Sequence, residues 1–126
     1  MGYAVKVAIV LVYGIAMCSC SLNIAAVDRE QQGRGDSSRG RHLVYVYNCG
    51  SCHTIPGVPE ASATVGPPLA GVAMRYYIAG YLANTPENLA RWVASPQEVQ
   101  PGNAMPDLGV TAEQAEDIAA YLYTLR

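Results

Sequence analysis

Three residues in the run "NCGSCHT", positions 48–54, combine two kinds of chemistry at a fixed spacing. Two residues separate Cys49 from Cys52, and His53 follows at once. Thiols spaced this way serve a redox disulfide, a zinc site or a covalent heme attachment. Each use asks something more of the chain. A redox pair sits at a helix start beside a βαβ core. Here the stretch after His53, positions 54–69, holds four prolines and two glycines and reads as a loop. Zinc takes a full tetrahedral set of ligands. Beyond the N-terminal segment the chain offers only Cys49, Cys52, His53 and His42, and adjacent Cys52 and His53 are poorly placed on one small ion.

Heme attachment gives every residue a task. The thiols add to the two vinyl groups, and the spacing lets both reach one porphyrin edge. The histidine then turns under the ring and binds iron, as in the C-x-x-C-H signature. Such an iron needs a second axial ligand, and methionine opposite histidine suits an electron carrier. Met1 and Met17 lie near the N-terminus. Met74 falls in a stretch that reads as helix, where core packing accounts for it. Met105 lies in "PGNAMPD", a loop between Pro101 and Pro106, and is the preferred ligand.

The surrounding elements read as mainly helical, with no strong strand. "RGRHLVYVYNC" is too short to separate helix from strand by periodicity. "LAGVAMRYYIAGYL" predicts a short helix. "NTPENLARWVASP" predicts a clearer one, with Thr85 as cap, Pro86 in the first turn, Glu87 at the positive end and Pro96 at its close. In the final segment Thr111 and Gln114 form a capping box. Ala115, Ile118, Leu122 and Leu125 then lie on one helical stripe.

The first part of the chain is different. Lys6 precedes an apolar run, and the 21 positions from 7 to 27 carry no charge. Residues 1–27 therefore predict a signal peptide, a lipoprotein leader or a membrane anchor. "MCSC" resembles a lipobox ending at Cys20, which would then carry the lipid. All three send the domain out of the cytoplasm. The expected location is the bacterial periplasm or the outer face of the cytoplasmic membrane, with the N-terminal segment holding it there. Residues 28–39, polar and glycine-rich, read as a flexible linker, and the domain is expected over 40–126. From Arg41 onward four arginines face seven acids, a net charge of −3, and the chain's single lysine is Lys6. That balance excludes a nucleic-acid binder.

Over 40–126 the sequence resembles a class I (monoheme) cytochrome c. "CGSCH" resembles the attachment site, "VGPPLAG" the G-P-x-L stretch, "SPQEVQPGNAMP" the distal loop and "EDIAAYLYTLR" the last helix. "YLANTPENLARWVASPQEVQPGNAMPDLGV" is more specific. It resembles the cytochrome c domain fused to subunit II of caa3-type cytochrome oxidases, here without a copper-binding cupredoxin domain. The resemblance implies an all-α fold of three to five helices around one covalent heme c. It makes Cys49 and Cys52 the thioether anchors, and His53 and Met105 the iron ligands. The Pro67 carbonyl would accept a hydrogen bond from His53, and Asn103 would lie near a propionate. Trp92 would lie against the distal pocket or serve as plain core. Ile118 and Tyr121 would face Tyr45 and its neighbours. The family's first-helix glycine is displaced to Gly40, with Arg41 near its place.

The function implied is one-electron transfer rather than catalysis. The expected partners are redox proteins, a membrane cytochrome oxidase or a quinol-oxidising complex. Alternatives are a heme enzyme or gas or peroxide sensor with a labile sixth ligand, and a dedicated subunit of a respiratory or dehydrogenase complex. The lysine-free domain predicts docking that depends little on salt.

Overall fold

The computed structural model describes residues 35–126. The leader readings for residues 1–27, Cys20 included, fall outside the described residues, and so do linker positions 28–34. The end of the expected linker is structured. Asp36 accepts hydrogen bonds from the N–H groups of Ser38 (2.8 Å) and Arg39 (3.2 Å), so it caps a helix. This helix, α1 (Ser37–Val46), starts three residues before the expected boundary at 40. The Asp-Ser-Ser composition that reads as linker is here an N-cap and first turn.

Three further α-helices follow among the described residues: α2 (Pro86–Ala94), α3 (Pro96–Val99) and α4 (Ala112–Leu122). With little strand, the fold is all-α, as expected. Thr85 caps α2 through the Asn88 N–H at 3.2 Å, with Pro86 in its first turn. Pro96 ends α2 and also opens α3. Thr111 and Gln114 form the reciprocal capping box of α4.

Residues 69–82 do not form the expected helix. They form a 3-10 turn (Val72–Met74) and a small antiparallel hairpin, β1 (Tyr77–Ile78) with β2 (Leu82–Ala83). Gly71, Ala79 and Gly80 have φ of +65°, +52° and +71°, in the left-handed region that no helix of L-residues can run through. Asn84 closes this segment by donating to the carbonyls of Val72 and Arg75, both at 2.8 Å.

The first and last helices make the central crossing. A side chain at Gly40 would run into the backbone carbonyl of Asp117 and lie 2.9 Å from the Tyr121 Cβ. Gly40, read from sequence as displaced, is the residue that lets these helices touch. Val44, the neighbour of Tyr45, joins the core there with Ile118 and Tyr121, whereas Tyr45 itself, also expected to face them, points to solvent with 62% exposed. Beside the crossing lies Asp117, which is 3% exposed. Its carboxylate accepts Arg39 Nε and Nη2 at 2.8 and 2.9 Å and the Asp36 N–H at 2.7 Å. Tyr121 O–H donates to the Pro56 carbonyl (3.0 Å), and Tyr123 O–H donates to Asn84 Oδ1 (3.1 Å). The end of the last helix thus ties down the loop after His53 and the segment closed by Asn84.

Gly40→Ala is expected to force the helices apart at a cost of about 1–3 kcal/mol. The melting temperature should fall by roughly 4–8 °C per kcal/mol lost. The Arg39 guanidinium holds the Asp117 carboxyl below its usual range, against the opposing effect of burial, and the Asp36 N–H adds to the lowering. A depressed folded-state pKa contributes stability that is complete above the unfolded value, about 3.9, and is lost as pH falls through the folded value. Melting temperature followed against pH should therefore drop in acid, and Asp117→Asn should flatten that acid limb.

Candidate functional site

α1 ends directly above the Cys-Gly-Ser-Cys-His run. Asn48 adopts φ +54°, a left-handed conformation that asparagine tolerates, and turns the chain out of the helix. A 3-10 turn (Cys49–Ser51) follows, and the Cys49 carbonyl accepts the N–H groups of Cys52 (3.2 Å) and His53 (3.0 Å). The three chemical residues are thus gathered on one turn. Gly50 is small for a packing reason, since a Cβ there would lie 2.8 Å from the Cβ of Ala61.

Cys49 and Cys52 are unpaired thiols, both partly buried. Burial pushes the Cys49 thiol above its usual pKa, with a smaller push from Cys52. Redox cysteines of the C-x-x-C kind carry a lowered pKa. The shift here runs the other way.

His53 is fixed from two sides. Its Nδ1 lies 2.8 Å from the Pro67 carbonyl, the partner expected from the sequence. A carbonyl only accepts, so Nδ1 carries a proton, and in the neutral tautomer this selects the lone pair lies on Nε2. Gly66 lies flush against the ring, where a Cβ would sit 2.7 Å from Nδ1 and 2.9 Å from Nε2. The Gly66 N–H donates to the Cys52 carbonyl (2.7 Å), and the Leu69 N–H to that of Thr54 (2.9 Å). Arg75 donates to the Pro68 carbonyl, bracing the same short stretch. Thr54, a plain flank in the sequence, donates from its hydroxyl to Ala63 O at 2.9 Å.

Met105 is half-buried in the loop after α3. Both of its backbone polar groups are held by side chains. The Met105 N–H donates to Asn103 Oδ1 (2.7 Å), and the Met105 carbonyl accepts from Gln97 Nε2 (2.7 Å). Asn103, expected near a propionate, uses Nδ2 on the carbonyls of Pro96 (2.8 Å) and Gln100 (2.7 Å). Trp92 is half-buried and packs on the main core, while Met74 is 69% exposed in its 3-10 turn. Gln97 and Gly66 escaped sequence reasoning. Nothing in the sequence marks a glutamine whose partners are backbone groups. Gly66 was legible only as one letter of "VGPPLAG".

Two thiols and a histidine with one nitrogen tied back and the other free make a turn suited to holding a metalloporphyrin. Comparison with known proteins agrees. Residues 37–126 match the family model described as Cytochrome c. The chain is 35% identical over 91 residues to cytochrome c oxidase subunit 2 of Alkalihalophilus pseudofirmus, covering 71% of this chain and 26% of that one. It is 32% identical over 87 residues to the protein of that name from Bacillus sp. strain PS3, covering 66% and 24%. For Bacillus subtilis strain 168 the figures are 32% over 89 residues, covering 69% and 25%. The chain therefore spans about a quarter of the length of these relatives. It belongs to the cytochrome c family. The cofactor of that family is heme.

Gly66→Ala is expected to push the imidazole off the Pro67 carbonyl, with an overpacking cost of about 1–3 kcal/mol. Heme content per protein and the melting temperature should both fall, and a variant with wild-type values of both would contradict the packing described.

Proposed function

We propose that the domain carries one heme c, bound covalently through Cys49 and Cys52, with His53 and Met105 as the axial ligands. The observation that carries this reading is the oriented His53 ring, with Nδ1–H on Pro67 O at 2.8 Å, on the same turn as two unpaired thiols. When bound, the heme supplies a one-electron couple at its iron. The protein's residues do the rest. The Pro67 carbonyl fixes the tautomer of His53 and makes Nε2 a more basic donor. Gly66 leaves room for the ring to stand in that orientation. The loop around Met105 holds a soft sulfur ligand in place, and such ligation raises the reduction potential.

The role we infer is delivery of electrons to, or within, a membrane respiratory complex such as a cytochrome oxidase. The relatives support this, being named subunits of cytochrome c oxidase. The same names favour the dedicated subunit as a second reading over a freely diffusing shuttle. The charge pattern at the N-terminus supports export to the periplasm or the outer membrane face, with membrane attachment through residues 1–27. With no lysine after Lys6, docking is expected to depend weakly on ionic strength.

Intact mass of the native holoprotein should show one covalently added heme. The oxidised protein should show the weak methionine-sulfur-to-iron band, and Met105→Ala should abolish it and lower the reduction potential. Retention of the band in Met105→Ala would overturn the assignment of the sixth ligand.

A further inference from the structure

The loop that bears Met105 has almost no regular structure, yet its backbone is closely accounted for. Gln97, on α3, reaches across it with both ends of its amide. Its Oε1 accepts the Gly102 N–H at 3.0 Å, and its Nε2 donates to the carbonyls of Asn103 (3.0 Å) and Met105 (2.7 Å). Asn103 completes the arrangement from inside the loop through its bond from the Met105 N–H. The base of α3 is tied in as well, since Asp107 Oδ1 accepts the Gln97 N–H at 3.2 Å.

Met105 is thus clasped on both peptide groups, each by a different side-chain amide. A ligand whose peptide groups are fixed on both sides cannot swing its side chain away by a small rotation of its own backbone. A departure that carries the backbone with it opens the loop, and opening breaks bonds to Gln97 or Asn103. We propose that Gln97 and Asn103 are positioning residues that hold Met105 at its ligating place and set how often it leaves. This rests on the reading of Met105 as the sixth ligand. On this proposal Asn103 serves the methionine loop rather than a propionate.

The test uses oxidised holoprotein mixed with imidazole, which can take the sixth position only after the methionine has left. At high imidazole the binding rate levels off at the rate of loop opening. Gln97→Ala is expected to raise that plateau about tenfold, the scale of one net hydrogen bond. Asn103→Ala should raise it similarly. Gln97→Glu, of equal size, keeps the acceptor for Gly102 N–H but loses both donors, so it should also open faster. Tyr47→Phe is the control for general loosening. It removes the Tyr47 O–H bond to Gln114 Oε1 (2.7 Å), between the end of α1 and α4, and should leave the plateau unchanged. Wild-type plateaus in both Gln97 variants would overturn the proposal, as would an equal rise in Tyr47→Phe. Failure of both Gln97 variants to take up heme would show a general folding role and would also overturn it. Met105→Ala separates the two readings. If it keeps the sulfur-to-iron band, the ligand assignment itself fails. If it loses the band while the Gln97 variants open at the wild-type rate, only the positioning role fails.

Discussion

α1 and α4 meet at Gly40 with no side chain between them, and the loop and hairpin that flank the histidine side of the site are tied to that contact. A helix crossing this close is set by backbone shape, with little freedom to slide. Once α4 is fixed against α1, Tyr121 reaches the Pro56 carbonyl and Tyr123 reaches Asn84. The first bond anchors the proline-rich loop after His53. The second anchors the turn and hairpin that lead into α2. The cysteine turn needs no such tie, because it follows the end of α1 without a break.

Most of the site lies on irregular backbone, whose polar groups must find partners when they leave solvent. Asn84, Gln97 and Asn103 supply them. An amide side chain offers both donors and an acceptor, so one residue can close a loop from several directions. Among the described residues no buried side-chain nitrogen or oxygen lacks a partner. The same accounting explains the orientation of His53. A carbonyl presented by the Gly66-Pro67-Pro68 stretch, itself held by Arg75, decides which ring nitrogen is left to bind.

The parts of this molecule that were legible in its sequence are those set by neighbours a few positions away. Thr85 with Pro86, and Thr111 with Gln114, state their caps within one helical turn. Cys49, Cys52 and His53 declare a chemistry by adjacency alone. The Pro67 contact was legible only through likeness to a family. Contacts set by distant partners were lost. Gly40 meets Asp117 far along the chain, so its smallness looked like a displaced family feature. Asp36 and Ser37 looked like linker because polar composition also describes a capped first turn. Residues 69–82 looked helical because a short apolar run has no decisive period, and the left-handed backbone at 71, 79 and 80 is invisible in residue types where alanine occupies one place. Gln97 was missed because its partners are peptide groups, which every residue has.

The clamp at the domain's first residues has a mechanical consequence. Gly35 lies against the Glu116 carbonyl, and the Asp36 N–H is bonded to Asp117. A pull on the chain at residue 35 would not peel α1 away one turn at a time. It would act first on a bundle of bonds joining the two ends of the domain, namely the Arg39–Asp117 fork and the Asp36 amide, so that they rupture together. Strain entering from the N-terminal side would be spent at that seam before it reached the cysteine turn.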